Sequence, residues 1–584
     1  MFGKILFISD NNAHVELIKE GKIIPDLMNL QVIFENDNQR IMGEIKNISE
    51  NKIEIKFLGE FENDKYIPGV LKKPALTSTV RIINEQELGI IVGNQDGKSL
   101  LIGYSPLYNK FPIHVDVNSL FSNHLAVFGN SGSGKSCGIA RIVQNIFANP
   151  NVPSFNSNLF FFDAYGEYKN AFKSISQYNP NYQYKFITTS PEESGDTSLS
   201  IPFYLLDLDD IALLLQASDH SQLTIIERAI NYAKIFSQND ALSIKYKNHL
   251  IAKGILAVLF SNQTTASKKN DVFSLVTACA TPEFNYNVIM PGIGYTRKFS
   301  ECFNIDSKGN FGESVLINEY VMKHIDESTE SITVPETANY KIEDFANALN
   351  FTLISEGFLS NNKLQDAAMM LKVRLGALIN SSNKRFFEFP EYITKDKYIS
   401  YLVAFNNKRS QIININLQDI DDILAKTIVK IFVKFLFGFT KTRKQRASIP
   451  FHIFLEESHR YIQNDSDKFL LGYNIFDRVA KEGRKYGLLL DLISQRPVEI
   501  SDTVVSQISN FFIFKMTHPL DLEYIGKMLP NMSADVLEKL NTLQPGTCVA
   551  FGSAFKVPMI VKLEMPNPEP YSANADVIAR WKNE

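Results

Sequence analysis

The sequence predicts an α/β fold: a nucleotide-binding sheet built around a phosphate loop, preceded by a small β-barrel and interrupted by a helical insertion. Three observations carry that expectation. The stretch Gly129-Asn130-Ser131-Gly132-Ser133-Gly134-Lys135-Ser136 fits the pattern GxxxxGK(S/T). The first 117 residues alternate short Ile-, Val- and Phe-rich segments with Asn, Asp, Gly and Pro turns, as small all-β units do. From about Ser200 to Asn380 apolar residues recur instead at three- and four-residue spacing, the period of helices buried on one face.

In chain order, KILFIS, HVELIK, LQVIFEN, RIMGEIKNI, KIEIKFLGEF, TVRII, LGIIVG and SLLIGY read as strands. Residues 1–117 then form a barrel suited to assembly or docking, since no stripe of basic and aromatic residues marks a nucleic-acid face. Residues 118–199 open the nucleotide-binding core. His124 to Phe128 reads as a buried strand entering the phosphate loop, and Ile139 to Phe147 as an apolar-faced helix leaving it. The glycines let backbone N–H groups turn toward phosphate oxygens, and the helix N-terminus adds its positive end. Lys135 then reaches the β- and γ-phosphates of ATP, and Ser136 holds Mg2+ through its hydroxyl. Leu159 to Phe162 is apolar throughout, a strand that delivers Asp163 to the edge where open α/β sheets hold ligands. Asp163 and Glu167 either orient water or magnesium or cap the next helix; spacing leaves both readings open.

Helical periodicity covers Leu205–Leu215, Leu223–Phe236, Leu250–Phe260, Tyr340–Leu349 and Leu364–Ile379, and residues 200–397 read as an insertion. SNQTTASKKND and the stretch from Ser307 to Glu336 are expected as surface loops between these helices. The core resumes over 398–563, with strands at Tyr401–Phe405 and Gln411–Leu417 and a long helix to about Phe439. The basic run Lys441–Arg446 falls in the loop that follows and reads first as solvated surface, with DNA contact as the lesser alternative. Residues 564–584 form a Pro-rich, then short-helical tail, placed to brace an adjacent subunit.

The strand Phe451–Leu455 ends in two carboxylates. Beside a phosphate loop such a strand completes an NTPase site, with Glu456 on the metal side and Glu457 polarising the attacking water. The order EESH does not set two histidines one turn apart, so His459 does not mark a metalloprotease-like zinc site. A further strand, Leu488–Ser494, ends at Gln495, in position to bond the γ-phosphate or the lytic water. Upstream of it, Arg478 and Arg484 flank a Gly-bounded turn, a position from which an arginine can enter a neighbouring subunit's site and stabilise the transferred phosphate. Arg484 is the favoured candidate and Arg478 the second.

Composition narrows the classes. The formal charge of -4 argues against coating nucleic acid by bulk charge, so any DNA contact is local. Cys137, Cys279, Cys302 and Cys548 show neither paired nor metal-site spacing, which points to a reducing compartment without structural zinc. The opening MFGKILFISDNNAHVEL lacks a secretory pattern. The most hydrophobic stretch, Ile428–Phe439, contains Lys430 and Lys434 and is too short to span a bilayer. A cytoplasmic protein without a membrane partner is expected.

With these motifs in order, the chain resembles the HerA family of hexameric DNA-translocating ATPases, relatives of FtsK-type pumps. The resemblance rests on GNSGSGKS, FFDAYGEY, FLEESHRY, EGRKYG and LISQRP, together with the β-rich start. It implies a RecA-like core, a homo-hexameric ring that threads double-stranded DNA, and ATP sites completed by a neighbour's arginine. Lys135 and Ser136 would bind phosphate and magnesium, Asp163 and Glu457 serve hydrolysis, Gln495 sense phosphate and Arg484 act in trans. It also implies an effector docked on the barrel, a nuclease or a sirtuin-like NADase, in DNA end processing or bacterial antiphage defence. Nothing in the chain itself looks like a nuclease or NADase site. The helical insertion matches least. A ring that binds ATP mainly to organise such an effector, with little movement along DNA, is the competing expectation.

Overall fold

The computed structural model describes residues 2–18, 26–63, 65–93, 97–332, 338–358, 364–463, 467–528, 534–571, 577 and 581. The chain divides into two compact units: Met1–Ser198 with Ile399–Asp465 and Asn474–Glu584, and Leu199–Tyr398 with Ser466–Tyr473. Most of the tail expected to brace a neighbour lies outside the described residues.

The first unit is organised by a twelve-stranded sheet. Its parallel part starts at the two-residue edge strand Thr197–Ser198 and then runs in the order Tyr184–Thr188, Ile412–Asn416, Leu159–Asp163, Phe451–Glu456, Leu488–Ser494, Leu125–Phe128 and Asn510–Phe514, seven longer strands. Six of these strands, all but Tyr184–Thr188, are buried at every position, because parallel sheets are covered on both faces. That is why they read as unbroken apolar runs. Phe161 shows the packing: it stacks on Phe454 with ring centroids 4.3 Å apart and meets Tyr168 and Phe172 at 5.2 and 4.8 Å. Beyond Asn510–Phe514 the sheet turns antiparallel through Thr547–Gly552, Met559–Lys562, Ser99–Ser105 and Phe111–Asp116.

The N-terminal strands form a separate antiparallel sheet of seven strands, from Phe2–Ile8 at one end to Thr79–Ile82 at the other. Among the described residues its hydrogen-bonded order stays open, so the expected barrel is a half-barrel. SLLIGY does not join it; Ser99–Ser105 belongs to the core sheet. LGIIVG, expected as a strand, lies in the helix Glu85–Val92, because Asn84 and Glu87 form a reciprocal capping box just upstream of it. One apolar core runs from Ile33, Met42 and Phe61 of the half-barrel to Val127 and Phe514 of the core sheet.

The second unit is mainly helical. His220–Phe236, Ala241–Leu259, Thr265–Ala278 and Ile342–Ser355 pack around a cluster that includes Ile251, Leu275, Phe284 and Phe351, and Gln365–Asn380 lies against Ile342–Ser355 and His220–Phe236. Two loop expectations are corrected here. Most of SNQTTASKKND is the start of the helix capped by Thr264, and Ser314–Lys323 is a helix inside the stretch from Ser307 to Glu336. The strand expected at Tyr401–Phe405 is mostly the end of the helix Lys395–Val403, with a two-residue strand, Ala404–Phe405, after it. Among the described residues no helix is long and apolar enough to cross a membrane.

Phe161→Ala removes a ring that is 1% exposed at the centre of this stack. A loss of about 3–5 kcal/mol is expected, to be checked as a lowered midpoint of the first unfolding transition in denaturant.

Candidate nucleotide-binding site

The parallel registers bring the predicted motifs to one edge. Phe128 pairs with Ser494, Ile493 with Glu456, Leu455 with Phe162, and Asp163 with Asn416. The loop after Phe128 is held in a shape that requires glycine. Gly129, Gly132 and Gly134 have φ of 154°, 71° and 104°. A Cβ on Gly129 would meet Phe514 Cβ at 2.7 Å, and one on Gly134 would meet the backbone N of Gly546 at 2.9 Å. Three backbone bonds tie the loop down: Gly129 N to Ser494 O (3.2 Å), Asn130 N to Lys515 O (2.9 Å) and Gly546 N to Ser133 O (2.9 Å). Asn130 Nδ2 adds a bond to Thr517 Oγ1 at 2.6 Å.

Lys135 begins the helix Lys135–Ala148 and folds back so that Nζ donates to Asn130 O at 2.9 Å. It is 9% exposed, and burial holds its pKa below the usual lysine value against the opposing pull of Glu457, Glu456 and Glu167. Ser136 follows it and lies beside the Glu167 carboxylate, whose pKa it draws down.

Four carboxylates share this edge, and they are not equivalent. Asp163 accepts from the backbone N–H of Glu167 (3.0 Å) and of Tyr168 (2.9 Å), and Asn414 Nδ2 donates to it at 3.2 Å. Of the two roles open to it, the geometry is that of a loop anchor rather than of a group aimed at water. Glu167 is the acid that this anchoring turns toward Ser136 and Lys135, with burial and then Asp163 raising its pKa. Its sequence signal was the glycine before it: Gly166 has φ 72°, and a Cβ there would approach Gln418 Oε1 at 2.9 Å.

Glu456 is fully buried, and burial, followed by Asp163 and Glu167, pushes its pKa well above the carboxylate range. Glu457 takes a left-handed backbone, φ 49° and ψ 48°, which a non-glycine residue adopts at a cost of about 1–3 kcal/mol. The turn swings its side chain to Gln495, whose Nε2 donates to Oε1 at 3.0 Å. Burial raises the pKa of Glu457, while Lys135 and Arg460 draw it down. His459 bonds Ser494 Oγ through Nδ1 at 3.1 Å and passes 3.3 Å from Glu457 Oε2, and burial lowers its pKa.

Ser133 Oγ, Glu167 Oε2, Glu456 Oε2 and Glu457 Oε2 are buried without hydrogen-bond partners among the described residues. Orphaned atoms of this kind are costly unless a ligand completes them. A hydroxyl donor in the phosphate loop and carboxylate oxygens beside Ser136 fit a phosphate chain and a hard cation such as Mg2+.

Arg484 does not reach this edge. It is exposed near the end of the helix Ile475–Tyr486, which turns at Gly487 into the start of Leu488–Ser494. Seven strand residues, at about 3.3 Å each, set it roughly 20 Å from the edge that carries its own phosphate loop. Arg478 is engaged by Glu482 at 3.7 Å on the same helix.

Fold and site together define a P-loop nucleotide-binding protein with a parallel-sheet core. The family model described as helicase HerA, central domain, matches residues 100–275. A DNA double-strand break repair helicase HerA of Sulfurisphaera tokodaii is 29% identical over 32% of this chain, and the match spans 42% of that protein's length. A probable HerA of Methanocaldococcus jannaschii is 22% identical over 94% of this chain and 93% of its own. The plasmid coupling protein TrwB, solved with the ATP analogue ADPNP, aligns at 12% identity and a TM-score of 0.44 over 84% of this chain and 95% of its own. The chain is thus similar to the central domain of HerA helicases over residues 100–275, and more distantly to a probable HerA over most of its length.

Glu456→Gln is expected to raise the melting temperature of the nucleotide-free protein, because it removes a carboxylate that burial and two neighbouring acids oppose. The gain should be about 0.5–2 kcal/mol. The same variant should lose the further stabilisation that Mg-ATP confers on the wild type; thermal scans with and without Mg-ATP check both.

Proposed function

We propose that the chain is an ATP-driven motor on double-stranded DNA, working as a homo-hexameric ring whose ATP sites lie between subunits. The observation that carries this reading is the split of the expected machinery. Lys135, Ser136, Glu167, Glu456, Glu457 and Gln495 share one sheet edge, while Arg484 is exposed at the opposite one. An arginine so placed cannot complete its own site and is free to complete another.

In this mechanism the phosphate loop and Lys135 hold the phosphates, and Ser136 and Glu456 hold the cation, which when bound draws charge from the γ-phosphate. Glu457 accepts the proton of the attacking water, its carboxylate oriented by Gln495. Release of phosphate removes the partner that Gln495 and Glu457 share, so the strand end at Ser494–Gln495 reports nucleotide state. Asp163 acts through Glu167, by fixing the loop that carries it.

The relatives' names, DNA double-strand break repair helicases, support duplex DNA as the track. The same reading places the protein in the cytoplasm, in DNA end processing or antiphage defence, with a nuclease or sirtuin-like NADase docked on the half-barrel. Its edge strand Phe2–Ile8, which exposes Leu6 and Phe7 at 55% and 56%, supports such docking.

Glu457→Gln should bind Mg-ATP with near-normal affinity and hydrolyse it at least about 100-fold more slowly; turnover near the wild-type rate would show that another residue positions the water. Mixing Arg484→Ala with Lys135→Ala subunits should restore turnover where an intact loop meets an intact arginine. Assembled mixed rings without any recovery would exclude Arg484 as the trans residue. Duplex DNA should accelerate ATP turnover; a rate indifferent to DNA favours a ring that only organises its effector.

A further inference from the structure

Between the half-barrel and the antiparallel end of the core sheet lies a cavity of about 160 Å3 whose lining includes none of the nucleotide-site residues. Leu58, Leu88, Ile91, Ile113 and Val557 give it an apolar floor. Among the described residues its polar wall carries three cations, Lys46, Lys56 and Lys539, and one acid, Glu44. Lys46 Nζ and Lys539 Nζ both bond the same oxygen, Glu44 Oε1, at 2.9 and 3.0 Å. The Lys46 and Glu44 side chains are 9% and 12% exposed, so this charge is held largely out of water. Burial holds the Lys539 ammonium below the usual lysine range, Glu44 opposing that shift and Lys46 adding to it. An ammonium has three donors, so Lys539, bonded to one carboxylate oxygen that it shares with Lys46, keeps donors for an entering anion.

We propose that this cavity binds a small organic anion, its charged group against Lys46 and Lys539 and its apolar body on the floor, and that its occupancy is felt at the phosphate loop. The volume suits one ring or a short branched chain, since a cavity of about 150 Å3 lined by apolar side chains takes up benzene. The floor excludes a bare inorganic ion as the best ligand, because it would leave the apolar half of the cavity unfilled.

The route to the phosphate loop is short and bonded. Lys539 sits on the helix Ala534–Thr542, and the next residue, Leu540, accepts the backbone N–H of Met516 at 3.2 Å. Met516 lies between Lys515, whose carbonyl holds Asn130 N, and Thr517, whose hydroxyl holds the Asn130 side chain. Four residues beyond the helix, Gly546 N bonds Ser133 O. A ligand that draws Lys539 off Glu44 therefore acts on both segments that tie the loop down. The site stands apart from the ring and DNA reading and does not depend on it.

The test is a 19F NMR titration of the full-length protein with 4-fluorobenzoate, beside 4-fluorobenzyl alcohol, which keeps the ring without the charge. Inorganic phosphate is titrated in competition, as charge without the ring. Saturable binding of 4-fluorobenzoate at least tenfold tighter than either control is expected. Lys539→Met and the cavity-filling Val557→Phe should each weaken it tenfold or more, and Glu44→Gln, which removes the competing carboxylate, should strengthen it. Mg-ATP affinity, measured on every sample as the check on folding, should shift at least twofold when 4-fluorobenzoate saturates the wild type. Equal binding of the three probes, or binding unchanged in variants that still take up Mg-ATP, overturns the site. Saturable binding with unchanged Mg-ATP affinity overturns its link to the phosphate loop.

Discussion

The site depends on one electrostatic constraint: three carboxylates, Glu167, Glu456 and Glu457, act on one buried ammonium, Lys135, and a fourth, Asp163, lies beside Glu167 and Glu456. One cation does not neutralise four acids removed from water. The edge is therefore built around charge that is absent from the chain. Asp163 is satisfied internally by two backbone N–H groups and an asparagine, and the remaining three each keep a buried oxygen without a partner among the described residues. A divalent cation and a phosphate chain would fit this edge, the cation against the acids and the phosphates against Lys135.

The fold holds this unfavourable arrangement because the strands that deliver it are buried at every position. The stack of Phe161, Phe454 and Phe172 and the registers between Leu125–Phe128 and its neighbours leave the strand ends no freedom to spread apart. The same rigidity supports the left-handed turn at Glu457, which aims the carboxylate at Gln495 instead of continuing the strand. It also links the two ends of the sheet. His124, just before the phosphate-loop strand, takes the backbone N–H of Leu490 on Nδ1 at 2.9 Å and bonds Ala480 O through Nε2 at 3.0 Å, on the helix that carries Arg484. The strand entering the phosphate loop and the helix presenting the arginine are thus fastened to each other.

Much of this was legible in the residues. GNSGSGKS announced its own turn, because no other composition allows three positive-φ positions and two backbone approaches in six residues. LFFFD, FHIFLEE and LLLDLISQ announced buried parallel strands with polar ends. Other elements were misread where a local device outweighed the apolar pattern: the capping box at Asn84 made a helix of LGIIVG, and the cap at Thr264 did the same for a polar stretch that looked like a loop. The half-barrel was overextended because a strand's period does not say which sheet it joins; Ser99–Ser105 pairs with Met559–Lys562, more than 400 positions away, through a single contact of Lys562 with Tyr104.

Sequence alone determined the chemistry on offer: a phosphate cradle, paired acids, a glutamine at a strand end and an arginine on a Gly-bounded turn, each announced by residue type and short-range spacing. Only the tertiary structure decided how those groups divide. It committed Asp163 to the backbone and turned Glu167 toward Ser136. It set Arg484 at the far edge and gathered three lysines around Glu44. These outcomes rest on contacts between residues dozens to hundreds of positions apart, set by strand register and by which face packs on which. Local periodicity carries neither.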